Sequence, residues 1–132
     1  HSGGQVSYSC EIDDPPSVLS EWARTARTSH RCTECRGRIE PGERYVRTFG
    51  VWGGEADTFR TCQDCTALLE WTRAHIPCFC WSYSEMRSDA HEAVVAVLED
   101  EPVPGMFMEF GRLWVACKRR GARGRAQLKG AQ

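Results

Sequence analysis

The stretch from Cys32 to Cys65 constrains this chain more than any other. It reads Cys-Thr-Glu-Cys, then twenty-six residues, then Cys-Gln-Asp-Cys. Two residues between cysteines let a tight turn aim both sulfurs at one ion. Two such turns complete a tetrahedron of soft ligands at about 2.3 Å. Two Cys-x-x-Cys pairs at this separation are a metal signal. The spacing predicts one structural Zn2+ held by Cys32, Cys35, Cys62 and Cys65.

The residues between the pairs fit that geometry. After Cys35, Arg36-Gly37 offers a glycine for a reversed turn that points backbone N–H groups at the thiolates. Ile39-Glu40-Pro41-Gly42-Glu43 reads as a turn. Arg44–Phe49 is strand-like, Trp52-Gly53-Gly54 is a hairpin signal, and Ala56–Thr61 returns as a second strand. Cys65 opens a run with apolar residues at 67, 68, 71 and 74, the period of a helix face. A helix N-terminus there favours the thiolate forms of Cys62 and Cys65. Knuckle, hairpin, knuckle, helix is the treble-clef plan, so the expected class is α+β, with further helices packed on the C-terminal side. The motifs H-x-C-x-x-C, I-x-P-G-E-x-Y, G-x-W-x-G and T-C-x-x-C, over about residues 24–75, resemble small treble-clef zinc proteins encoded by bacteriophages and prophages. They resemble, more distantly, one half of a LIM module. The resemblance implies a phage-related origin and, since that family is mostly of unassigned function, no particular activity.

A chain of 132 residues suits one domain, or a small core with an extension. Eight cysteines are spread too thinly for a toxin-like disulfide scaffold. No apolar run approaches the roughly 18 residues that span a bilayer, so no membrane role is expected. The start, His1–Gln5, reads as a tag remnant (1–5). Residues 6–120 read as a single zinc-binding domain, with the treble clef at 30–75 and a helical extension at 82–120. The basic tail, 121–132, is expected to be disordered. With no signal peptide visible, reduced thiols on zinc and a cytoplasmic setting are expected, in the host cell for a phage product. Net charge is −1, which excludes a global bias towards polyanions, but the charge is uneven. From Glu85 to Glu109 seven acids face Arg87 alone, and from Lys118 to Lys129 there are six bases and no acid.

Residues 6–16 are acidic and turn-rich. Ser17 can cap a short helix running through Thr28, with Val18, Leu19, Trp22, Ala23 and Ala26 on one face. His30 reads as a brace for the first knuckle, or as a ligand contact. Pro77 ends the first helix, and Cys78 and Cys80 follow at once. With Cys10 and Cys117 they make a candidate second metal site. The alternatives are small buried hydrophobes or an oxidised pair. Tyr83–Glu99 should be a helix with acids in its first turns. From Met106 a second stripe (Met106, Phe107, Phe110, Leu113, Trp114, Cys117) is core or, if left uncovered, a partner or dimer face.

An enzyme is not expected. The treble-clef nucleases need a hairpin histidine, and none lies between Arg36 and Thr61. Four thiolates close a zinc shell that catalysis would need open. A cysteine nucleophile, Cys78 or Cys80 with His75, is the minor alternative. The leading expectation is a binding module that meets a host or phage protein as adaptor or inhibitor, through Trp52, Phe110 and Trp114. The alternative is nucleic-acid binding by Arg24, Arg27, Arg31, Arg36, Arg38, Arg44 and Arg47 with the basic tail.

Overall fold

The computed structural model describes residues 18–130, with side chains from 19 to 124. Five strands precede three helices: β1 (Val18–Thr25), β2 (His30–Arg31), β3 (Arg38–Ile39), β4 (Arg44–Trp52), β5 (Glu55–Thr61), then α1 (Gln63–His75), α2 (Met86–Asp100) and α3 (Met106–Gly130). The class is α+β, with a three-stranded antiparallel sheet in the order β1-β4-β5 and a two-stranded β2-β3 pair.

The β4–β5 hairpin turns where the sequence says it should. Gly53 and Gly54 both have positive φ, 57° and 86°, the pair of reversed residues that a tight two-residue hairpin turn requires. The short β2–β3 pair flanks the first Cys-x-x-Cys turn, pairing His30 with Ile39 and Arg31 with Arg38. Two bonds tie that turn to the end of the hairpin. Thr33 N–H donates to the Arg60 carbonyl at 2.7 Å, and Arg60 N–H donates to Thr33 Oγ1 at 3.0 Å. The chain is thereby folded so that Cys62 lies beside Cys32.

Three expectations are corrected. Residues 18–25 are a strand, not the helix expected through Thr28; Ser17 lies outside the described residues. β1 pairs with β4 over its whole length, from Val18↔Val51 to Thr25↔Arg44. As a strand it satisfies the edge of β4, a long-range gain that the local helical spacing does not register. Of its supposed buried stripe Leu19 and Trp22 are 54% and 41% exposed, while Ala26, just past the strand, is buried. The second helix begins at Met86 rather than Tyr83, because Tyr83 is taken into an aromatic cluster and Ser84 has a φ of 78°. The tail is not disordered over 121–130: α3 continues to Gly130, and Gly121 and Gly124 are buried.

One contiguous apolar cluster joins the knuckle to the helices. It takes in Ile39, Leu68, Met86, Val94, Phe110 and Cys117 together with the four paired cysteines. The helical stripe starting at Met106 therefore reads as core at Met106, Phe110 and Cys117, while Phe107 is exposed. No helix among the described residues is long and apolar enough to cross a membrane.

Candidate metal centre

The two Cys-x-x-Cys turns meet. The sulfurs of Cys32, Cys35, Cys62 and Cys65 all lie within 4.8 Å of one another, and all four residues are buried. Cys32 and Cys35 come from the turn between β2 and β3. Cys62 is the N-cap of α1, its sulfur accepting from the Cys65 N–H at 3.4 Å, and Cys65 sits in the first turn. Two further backbone N–H groups point at sulfur: Gly37 to Cys35 at 3.3 Å and Cys62 to Cys32 at 3.4 Å. These donors, with the helix N-terminus, supply the partial positive charge that stabilises thiolates. The reversed residue in the first turn is Arg36, with a φ of 65°, and not Gly37 as the sequence suggests. Gly37 is needed for another reason: a Cβ there would lie 2.7 Å from the Arg120 carbonyl oxygen of α3.

The four sulfurs form one electrostatic unit. Hydrogen bonds from Cys35, Cys62 and Cys65 pull the Cys32 thiol far down. Cys65 is pushed far up, first by the neighbouring Cys117 thiol, then by the other three cysteines and by burial. Without a cation the cluster can hold little negative charge; a soft cation is what allows all four to be thiolates. The donor set, four sulfurs and nothing else, fits a metal ion that prefers soft ligands.

The residues inside the two Cys-x-x-Cys turns bind the C-terminal helices. Glu34, buried in the first turn, accepts from Ser84 N–H at 2.9 Å and Met86 N–H at 3.0 Å. It thus caps α2 from elsewhere in the chain, where the helix's own Glu85 gives no side-chain cap. Burial pushes the Glu34 carboxyl up, against those two N–H bonds that pull it down. Asp64, inside the second turn, accepts from Arg120 Nε of α3 at 2.9 Å. Arg120 also donates from Nη1 to the Arg38 carbonyl at 2.7 Å, and from both terminal nitrogens to Glu43 at 3.0 and 3.1 Å. Glu43 in turn holds Arg120 firmly protonated, and Arg120 draws the Glu43 carboxyl below its usual range. Neither Glu34 nor Arg120 was singled out by sequence. The position of each, inside a Cys-x-x-Cys turn or one helical turn from Gly124, carries no signal until the elements are assembled.

The other candidates scatter. Cys117 is fully buried on α3 and close enough to Cys65 to push its thiol up, so it adjoins the first cluster instead of building a second. Cys78 is disulfide-bonded, the oxidised alternative, and Cys80 is an exposed free thiol. Cys10 lies outside the described residues. A second site of Cys10, Cys78, Cys80 and Cys117 is therefore not assembled among the described residues. His75 turns back on its own helix, Nδ1 lying 2.8 Å from the Trp71 carbonyl, and its ring stacks on Trp71.

Two of the three aromatic partner anchors are not free surface. Phe110 is only 2% exposed. Trp52 folds over Gly50 and meets Phe59 and Tyr83 edge-on, in a cluster that joins the hairpin to the segment before α2. Trp114 is half-buried, with Lys118 over its ring. The seven arginines do not share one face. Arg31 donates to the Arg36 carbonyl, Arg38 bonds Ser29 and pairs with Glu40, and Arg44 reaches Thr25. Arg27 and Arg36 are exposed outside the strands. Arg24 and Arg47 lie on the sheet, joined by Arg60, which stands opposite Arg47 in the β4–β5 register. Burial lowers the His30 pKa, and the charges of Arg60 and Arg24 lower it further. His30 packs on Tyr45 of β4 with ring centroids 5.4 Å apart.

Compared with protein-family models, curated proteins and solved structures, the chain matches none.

Proposed function

We propose that the chain is a non-enzymatic, zinc-stabilised treble-clef module that acts by binding. The observation carrying this reading is the buried set of four sulfurs within 4.8 Å, two from a turn between short strands and two from the start of α1. The Cys35 and Cys62 sulfurs are 3.8 Å apart, about the edge of a tetrahedron built on 2.3 Å Zn–S bonds. Zn2+ bound to all four would have no open position for a substrate or water, which supports a structural ion and a non-catalytic chain. Its part is to neutralise the thiolates and hold the two turns together. The four clustered thiols are reduced while Cys78 is disulfide-bonded, so the cysteines favour no one compartment, and a phage origin stays with the resemblance carried by residues 24–75.

The partner is the less constrained half of the reading. A host or phage protein would have to be met without Phe110 and Trp52, which serve the interior, so Trp114 alone of the expected anchors is left. The nucleic-acid reading gains instead, because Arg24, Arg47 and Arg60 share one sheet face. Elemental analysis of the native chain tests the metal reading. One zinc per chain is expected, and Cys35→Ser or Cys65→Ser should lose both the metal and most of the thermal stability, since structural zinc contributes on the order of 10–16 kcal/mol of apparent folding free energy. Metal-free native protein, or variants that keep wild-type stability, would overturn it.

A further inference from the structure

The three-stranded sheet has two unlike faces. Side chains alternate along a strand, and directly paired residues of antiparallel strands share a face. Thr48, Trp52 and Phe59 lie on the inner face; Phe59 stacks on Tyr83 at 4.0 Å, and Thr48 donates to Glu21 on the same side. The outer face carries Trp22 and Arg24 of β1, Arg47 and Phe49 of β4, and Arg60 of β5. The Arg47 guanidinium lies 5.3 Å from the centre of the Trp22 ring, which confirms that the two share a face.

The acids keep to one face, which also carries Arg44. The strand acids Glu21, Glu55 and Asp57 all have inner parity, so no strand position on the outer face is acidic. Among the described residues the ion pairs involve only Arg38 and Arg120, so Arg24, Arg47 and Arg60 are unneutralised. Arg60 Nε is buried without a hydrogen-bond partner. Three uncompensated guanidinium groups on a flat face call for a polyanion. The aromatic residues narrow the choice. Trp22 is directly opposite Arg47 and therefore diagonal to Phe49, a spacing of about 7–8 Å, wide enough for successive unstacked bases to meet one ring each. Bases inside a duplex do not present their faces, and an acidic peptide has none.

We propose that this outer sheet face binds single-stranded nucleic acid, with bases stacked on Trp22 and Phe49 and phosphates held by Arg24, Arg47 and Arg60. The proposal deepens the reading of the chain as a zinc-stabilised binding module and rests on it. Planar guanidinium groups suit both parts of such a ligand: they pair with phosphate oxygens and stack on bases.

The test uses the full, zinc-loaded chain and labelled mixed-sequence single strands of DNA and RNA, followed by fluorescence anisotropy. Three phosphate contacts predict a slope of log K on log salt of about −2, so affinity falls about twentyfold between 50 and 200 mM salt. Trp22→Ala should weaken binding about tenfold or more, as the loss of one stacked base does. Trp22 lies open on an edge strand, so the variant's melting temperature should match the parent's. Arg47→Gln should weaken binding and flatten the salt slope by nearly one third. A folded, zinc-loaded chain that binds no oligonucleotide overturns this proposal and leaves the zinc reading standing. A chain that takes up no zinc fails the earlier reading instead. Equal binding by Trp22→Ala, or polyglutamate binding as tight as the oligonucleotide, would make the face a plain cation patch for acidic protein and overturn the proposal.

Discussion

Two glycines of α3 should respond in opposite directions to the same substitution. Gly111 has nothing within 4 Å of where a Cβ would stand. Alanine there recovers the helix-propensity difference of about 1 kcal/mol and meets no obstacle. At Gly124 the added carbon would lie 2.9 Å from Gly37 Cα, 3.0 Å from the Arg36 carbonyl oxygen and 3.2 Å from Arg31 Nη1. Two of these are backbone atoms of the first cysteine knuckle, and no rotamer change moves them. Relief requires α3 to lift from the knuckle, which also stretches the Arg120 bonds one turn earlier. Overpacking of this kind costs about 1–3 kcal/mol. Against a gain of at most about 1 kcal/mol in propensity, the net is a loss of about 1 kcal/mol at mid-range. For a chain of this size each kcal/mol moves the melting temperature by about 3–5 °C. Gly111→Ala should therefore melt about 4 °C above the parent and Gly124→Ala about 4 °C below it, measured by far-UV circular dichroism with zinc in excess. If Gly124→Ala rises as Gly111→Ala does, the last turns of α3 do not rest on the knuckle and their docking is refuted.

Arg120→Met should destabilise by about 2–3 kcal/mol, below the roughly 3–5 kcal/mol of a fully buried broken pair because Glu43 and Asp64 are about one third open to solvent. Chemical denaturation checks it, and a parent-like midpoint would show that the pairs contribute nothing. Glu34→Ala leaves the Ser84 and Met86 N–H groups without an acceptor, at a cost of about 1–3 kcal/mol. Hydrogen exchange should speed up in the first turn of α2 while α1 keeps its protection; uniform change would refute the cap. The Glu43 carboxyl is depressed in the folded chain, chiefly by Arg120. Its contribution is therefore present above the ordinary carboxyl pKa and lost as pH falls through the depressed one. The stability gap between the parent and Glu43→Gln, measured with zinc in excess, should be constant above about pH 5 and close below it. A gap unchanged at acid pH would show that the charge on Glu43 is irrelevant.

What was legible in the sequence follows from how local each determinant is. The paired cysteines, the Gly53-Gly54 turn and the strand–turn–strand–helix order depend on residues a few positions apart, and all of them appear in the fold. β1 reads as a helix because Val18, Leu19, Trp22 and Ala26 satisfy a helical spacing, while the reason for a strand lies in β4, twenty-odd residues away. The tail was misread because its glycines and arginines look like solvated linker. Gly124 is there to let two backbones touch, and Arg120 to reach three acceptor groups on separate segments. Arg60 was overlooked for the same reason: only the β4–β5 register places it beside Arg47.

These long-range contacts give the metal centre a wider role than clamping two turns. The spacing within each Cys-x-x-Cys pair sets where the sulfurs point, but each turn also carries an acidic residue that serves a C-terminal helix instead of the sulfur cluster. Glu34 holds the start of α2, and Asp64 holds Arg120 of α3. Arg120 then returns to the Arg38 carbonyl and Glu43, on either side of the turn that leads into β4. A structural ion at the four sulfurs would thus fix the two points on which the C-terminal helices are hung, as well as the end of the hairpin through Thr33 and Arg60. The outer face of the sheet enters these ties only through the backbone of Arg60. The side chains of Trp22, Arg24 and Arg47 take no part in them, so the groups that hold the fold together and those left to meet a partner overlap at Arg60 alone.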